Sequence, residues 1–177
     1  MMDIKMLVMD VDGTLTDGKI YMSANGELMK AFNIKDGYAI ARLRDYGIEP
    51  VIITGRSSDI VKQRCTELKI KELHQGIDNK SYMLRDICEK LHVELGQVAY
   101  IGDDLNDLPC MKICGYSACP SDAVVQVKDS VTYVCQAKGG DGAVREFIDH
   151  IISNLDKDVS IADYTFDEVK YEIQDNE

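Results

Sequence analysis

Three short apolar runs, each breaking off into small, acidic or hydroxylated residues, constrain this chain more than any other feature. Met6, Leu7, Val8 and Met9 run into Asp10; Pro50, Val51, Ile52 and Ile53 into Thr54 and Gly55; Val98, Ala99, Tyr100 and Ile101 into Gly102 and Asp103. Four consecutive apolar residues leave no polar face for water, so each run reads as a strand buried on both sides, the habit of parallel sheets. Helical periodicity fills the intervals at residues 38–46, 58–68 and 81–91, the last placing Leu84, Ile87, Cys88 and Leu91 on one face. Weaker strands at 115–118 and 131–134 and a helix at 142–152 complete the pattern. Alternation of this kind predicts an α/β domain with a mainly parallel sheet, whose ligands sit outside the carboxyl ends of the strands.

Residues 18–34 break the alternation. Ile20, Tyr21 and Met22 on one side and Leu28 to Phe32 on the other flank Ser23, Ala24, Asn25 and Gly26, a turn-forming stretch ending in Asn-Gly, so a small β-hairpin is expected to be inserted after the first strand. No second set of core-forming segments appears, and a large cap domain has no room. We expect one domain over 1–154 and an acidic tail over 155–177. The tail holds eight acids against two lysines, over half of the formal charge of −11. That charge disfavours nucleic acid and anionic membranes, which need clustered cations, and favours a small-molecule partner. No apolar run is long enough for a membrane helix, and Asp3, Lys5, Asp10 and Asp12 interrupt any secretory signal, so a cytoplasmic protein is expected. The six cysteines form no CxxC pair and read as reduced small hydrophobes. Cys110, Cys114 and Cys119 are close enough in sequence to keep a metal site open as the minor reading.

The chemistry gathers at the strand ends. In Asp10-Val11-Asp12-Gly13-Thr14 the alternation of an extended backbone puts Asp10 and Asp12 on one side. Two carboxylates so placed repel unless a cation or a proton sits between them, and a hard divalent ion such as Mg2+ meets that need. Asp103 is placed to complete the oxygen shell of the same ion, with Asp104 or Asp107 supporting it from further out; helix capping by Asp103 and Asp104 is the plainer alternative. Thr54 and Gly55 offer a hydroxyl and backbone amides to a phosphate, and Lys80 a compact positive charge. Arg56 and Arg64 are candidate partners for a substrate carboxylate or hydroxyls, or else surface salt-bridge residues.

Taken in order, these residues resemble the four signature motifs of the haloacid dehalogenase superfamily: DxDGT, a Thr after the second strand, a Lys, and the acidic GDDxxD. The resemblance implies a Rossmann-like three-layer sandwich and an aspartyl-phosphate mechanism. It makes Asp10 the nucleophile and Asp12 the general acid and base, with Asp10, Asp103 and the Asp12 carbonyl on magnesium and Thr54 and Lys80 on phosphate. Residues 17–27, 32–37 and 54–58, with Val61, Arg64 and residues 139–146, are further similar to the capless 3-deoxy-D-manno-octulosonate 8-phosphate phosphatases, and closely similar enzymes act on sialic-acid-type 9-phosphates. From this likeness we expect a phosphorylated sugar acid as substrate and a homotetramer in which the hairpin of one subunit helps to close its neighbour's site.

Two other classes remain as rivals. A phosphotransfer receiver domain also sets Asp, Thr and Lys around magnesium, but its acidic pair precedes the accepting Asp, whereas here Asp103 and Asp104 follow it. A catalytically idle interaction module could keep the fold, yet every expected catalytic position is filled.

Overall fold

The computed structural model describes residues 2–155; the expected acidic tail lies outside them from residue 156 onward. Eight strands form among the described residues: β1 Met6–Met9, β2 Tyr21–Ser23, β3 Gly26–Met29, β4 Glu49–Ile53, β5 Glu72–His74, β6 Val98–Ile101, β7 Tyr116–Cys119 and β8 Tyr133–Val134. Six of them make one sheet in the order β5-β4-β1-β6-β7-β8, parallel throughout. β1 lies centrally, with Met6 opposite both Glu49 of β4 and Val98 of β6. The helices are α1 Ile34–Arg42, α2 Asp59–Glu67, α3 Lys80–Leu91, α4 Leu108–Met111, α5 Val125–Lys128 and α6 Ala143–Asn154. No helix among the described residues is long and apolar enough to cross a membrane.

The period of two along each strand divides the core. Leu7, Met9, Ile52 and Ile101 point to one face, covered by α1, α2 and α6 through Ile40, Val61 and Phe147. Met6, Val8, Ile53 and Tyr100 point to the other, covered by α3, α4 and α5 through Leu84, Ile87, Met111 and Val127. This is the three-layer α/β sandwich expected, with no large cap among the described residues. All four residues of β1 and of β6 are buried, which is why these runs carry no polar position.

The elements that differ from expectation are the short ones. The first helix begins at Ile34 rather than 38, because the Asn33 side chain accepts from the Lys35 amide at 2.8 Å and caps it. β5 has Glu72 and His74 around a single Leu73, too little apolar character to announce a strand. α4 and α5 are single turns, too short for periodicity to register. β7 runs one residue later than expected, and β8 shrinks to two residues.

The hairpin forms as expected, β2 antiparallel to β3. Ile20, Met22, Leu28 and Met29 are each about half exposed or more, whereas Phe32 turns back and packs on the core. On the far side, the approach to α6 closes over the first loop. A Cβ on Gly139 would lie 1.9 Å from the Gly13 carbonyl oxygen, so only glycine fits. Asp36 of α1 reaches α6, its Oδ1 accepting from the Arg145 amide at 2.7 Å.

Candidate active site

The carboxyl ends of β1, β4 and β6 face an open cleft of about 150 Å3, lined by Asp10, Asp12, Thr54, Gly55, Arg56, Asp103, Asp104 and Asn106. Six of these eight were singled out from sequence as nucleophile, proton-transfer, phosphate and metal residues, and Arg56 as a substrate residue. Asn106 lies inside the GDDxxD motif but had no role assigned.

At the base of the cleft, Asp10 is 5% exposed and Lys80 2%. Lys80 is the first residue of α3, whose cap is Asn79, its side chain accepting from the Tyr82 amide at 3.0 Å. The Lys80 ammonium donates to Asp10 Oδ1 at 2.8 Å and to Asp107 Oδ1 at 2.7 Å. Burial alone would pull the lysine pKa down, but the charges of Asp10 and Asp107 and the hydrogen bonds to both raise it. The ammonium therefore stays charged, as an ion so deeply buried must if it is to be compensated. Asp107 is fully buried and fully engaged. Its Oδ1 also accepts from the Tyr100 hydroxyl at 2.7 Å, and its Oδ2 from the amides of Asp103 and Asp104 at 3.1 and 3.3 Å. It is thus a support that holds both the lysine and the acidic loop.

Asp103 is left with Thr14 Oγ1 as its side-chain donor, at 3.2 Å. Burial, then the charges of Asp10 and Asp107, push its carboxyl up to about 7, and burial followed by Asp107 also raises Asp10. Carboxyl oxygens of Asp10, Asp103 and Asp107 lie within 4.8 Å of one another. Hard oxygen donors crowded until their protons bind too tightly are what a small divalent cation relieves, so the residues present fit magnesium. With Asp107 committed to Lys80 and Tyr100, Asp10 and Asp103 are the carboxylates free to hold it. Gly13 makes room for this approach: at φ 93° it takes the left-handed region, and a Cβ there would stand 2.1 Å from Asp103 Oδ2.

The other wall comes from the hairpin. The Lys30 ammonium, in a side chain only 2% exposed, pairs with Asp12 Oδ1 and with Glu27 Oε1 at 3.1 Å. Glu27 Oε2 accepts from Ser58 Oγ, and Arg56 comes within 3.5 Å of Glu27 and 3.9 Å of Asp12. Ser58 is itself the cap of α2, so Thr54 to Ser57 form a loop ahead of that helix and not its first turn. Arg64 stands apart from the cleft lining: it sits over the Phe32 ring at 5.7 Å and pairs with Glu67 at 2.8 Å. The cysteines, all free and five of them buried, contribute nothing to the cleft. Sequence reasoning missed Tyr100, hidden in an apolar run, and the pair Glu27 and Lys30, which reads as ordinary hairpin surface.

A model of haloacid dehalogenase-like hydrolases matches residues 72–148. The 3-deoxy-D-manno-octulosonate 8-phosphate phosphatase KdsC of Escherichia coli K12 is 45% identical over 150 residues, covering 85% of this chain and 80% of that protein. Its Yersinia pestis counterpart is 43% identical over 155 residues, covering 88% and 83%. Among solved structures, the Moraxella catarrhalis 3-deoxy-D-manno-octulosonate 8-phosphate phosphatase in complex with magnesium ion, phosphate ion and KDO superposes with a TM-score of 0.83 at 40% identity, over 85% of this chain and 87% of that one. The cobalt-bound phosphatase from Haemophilus influenzae gives the same TM-score and identity, over 85% and 88%. With likeness of this strength in sequence and in fold, spanning most of each chain, this protein belongs to the 3-deoxy-D-manno-octulosonate 8-phosphate phosphatase family of haloacid dehalogenase-like hydrolases.

Proposed function

We propose that the chain is a magnesium-dependent phosphatase that hydrolyses 3-deoxy-D-manno-octulosonate 8-phosphate through an aspartyl-phosphate on Asp10. The observation that carries this reading is the buried Lys80 ammonium bridging Asp10 and Asp107, with Asp10 lining an open cleft together with Thr54 and Gly55. A carboxylate held by a lysine at the end of a central strand is a nucleophile with a fixed direction of attack. Asp10, Asp103 and the Asp12 carbonyl would hold magnesium, which would supply positive charge against the anionic phosphate.

An Asp10 oxygen attacks phosphorus and the bond from phosphorus to the sugar oxygen breaks, with Asp12 giving a proton to the departing oxygen. In the second half, Asp12 takes a proton from water as that water attacks the phosphorus of the acyl phosphate, returning Asp10 and releasing inorganic phosphate. Lys80 and Thr54 bind the phosphoryl oxygens and stabilise their charge in both transition states. Asp104 and Asp107 shape the metal loop from behind, and Arg56 reaches the sugar acid from the rim. Arg64, although a candidate from sequence, acts from outside the cleft lining.

The relatives' names favour the eight-carbon acid over the nine-carbon sialic-acid type, and membership of a hydrolase family sets aside the receiver domain and the idle module. We place the catalytic domain at 1–154 and the acidic tail at 155–177. A homotetramer in the cytoplasm completes the reading: the half-exposed Ile20, Met22, Leu28 and Met29 offer apolar hairpin surface to a second subunit, and among the described residues no large cap covers the cleft. The test is kcat/KM over a panel of eight- and nine-carbon sugar-acid phosphates, with chelator and with magnesium restored. Preference for the eight-carbon ester, lost on chelation and regained with Mg2+, is the expected result; turnover in excess chelator would refute it.

A further inference from the structure

We infer that Lys30 is a positioning residue for this reaction: carried in on the hairpin, its ammonium holds the Asp12 carboxyl group in the orientation that delivers a proton to the leaving oxygen. Asp12 precedes Gly13, whose left-handed backbone leaves the loop, so its side chain needs an anchor from elsewhere. The contacts within reach of it are Lys30 on Oδ1 and, more loosely, Arg56 at 3.9 Å from Oδ2. Lys30 therefore takes one oxygen and leaves the other on the side of Arg56, which lines the cleft. The lysine is in turn fixed from behind by Glu27, and Glu27 by the Ser58 hydroxyl. A relay thus runs from the cap of α2 through the hairpin to Asp12.

Fixing a lysine side chain and removing it from water costs entropy and solvation, which the pairing with two carboxylates offsets. A surface anchor for a hairpin has no need of an ammonium at 2% exposure, whereas a proton donor does need a fixed rotamer: a displacement of about 1 Å costs on the order of 10²-fold in rate. Lys30 touches neither phosphate-binding residue, which separates its role from that of Lys80.

The inference rests on the reading of Asp12 as proton donor, and leaving-group chemistry tests the two separately. p-Nitrophenolate departs without a proton, while a sugar alkoxide does not, and kcat/KM reports the steps up to that departure. Lys30→Met is expected to lower kcat/KM for 3-deoxy-D-manno-octulosonate 8-phosphate by about 10²-fold while the p-nitrophenyl phosphate value falls only about threefold. Lys30→Arg is expected to restore most of the ratio between the two esters. Equal losses on both esters, no loss on either, or a loss confined to KM for the sugar acid would overturn the inference. Asp12→Asn is measured beside it. If that variant also loses equally on both esters, the reading of Asp12 has failed; if it discriminates and Lys30→Met does not, only the role of Lys30 falls. Should Lys30→Met lack a cooperative thermal transition, Glu27→Gln decides, since it removes the charge behind Lys30: a smaller bias in the same direction supports the inference, and an unchanged ratio overturns it.

Discussion

The floor of the cleft and its rim are built by different means. Asp10, Lys80 and Asp107 meet because a central strand, the first residue of α3 and the first turn after β6 converge, and Tyr100 within β6 ties the last of these down. Asp12, Glu27, Lys30 and Arg56 meet because a hairpin folds down over a loop. The floor moves only if the core moves; the rim depends on a ribbon of two strands that is marginal by itself and is held by ion pairs. On the proposed mechanism the attack on phosphorus is thereby held by the sheet, whereas proton transfer through Asp12 and contact with the leaving group fall to the rim.

The largest effect expected is at the floor. Asp10→Asn should lower kcat by about 10⁴-fold or more with thermal unfolding unimpaired, since it removes the proposed nucleophile and a buried charge together; steady-state turnover beside differential scanning calorimetry checks this. Lys80→Met should cost about 10²–10³-fold in kcat and, unlike Asp10→Asn, destabilise the metal-free protein, because Asp10 and Asp107 lose their compensating charge. Added magnesium should recover part of that stability, and a Tm series with and without Mg2+ would show whether it does. Arg56→Ala tests the rim: KM should rise about tenfold with kcat within about threefold, and a fall in kcat without change in KM would move Arg56 from binding to chemistry.

The smallest effect concerns the joint between α1, which follows the hairpin, and α6. Burial pushes the Asp36 carboxyl up to about 6, against hydrogen bonds from the Arg145 and Gly142 amides, and its Oδ2 has no partner among the described residues. A carboxyl whose folded pKa exceeds its unfolded value binds more protons when folded. The stability it costs is therefore absent below the ordinary value of 3.8, grows through the interval to about pH 6, and is full above it. Asp36→Asn should gain on the parent protein by about 1–2 kcal/mol between pH 4 and pH 7, read from urea unfolding at both; a gap that narrows as pH rises would contradict the assignment.

How much of this was legible in the sequence follows the same division. Met6 to Met9, Pro50 to Ile53 and Val98 to Ile101 had to be strands buried on both sides because they have no polar face, and what stands at the end of such a strand stands at the cleft, so Asp10, Asp12, Thr54 and Asp103 could be placed by position alone. Lys80 could be placed only through its resemblance to a motif, since one lysine at a helix start is unremarkable. Lys30 could not be placed at all: it lies 18 residues from Asp12, with no periodic relation to it, and only the angle at which the hairpin settles brings them together. Tyr100 was concealed for the opposite reason. In a run buried on both sides a tyrosine reads as apolar, and its hydroxyl acquires meaning when Asp107 returns beneath it. Arg64, beside Arg56 in sequence terms, is carried by α2 to the Phe32 ring instead of the cleft.

The central place of β1 bears on how the protein must be synthesised. Its two sheet partners begin at residues 49 and 98, so a strand without a polar side chain is made well before either neighbour exists, and its second edge stays bare for roughly twice as long as its first. At about 5–20 residues per second, translation leaves that edge unpaired for seconds, far longer than a hairpin takes to close. The nascent chain is therefore most exposed to aggregation and to chaperone capture between the emergence of β1 and that of β6. Slowing the ribosome before residue 98 should lower the soluble yield more than slowing it after residue 101.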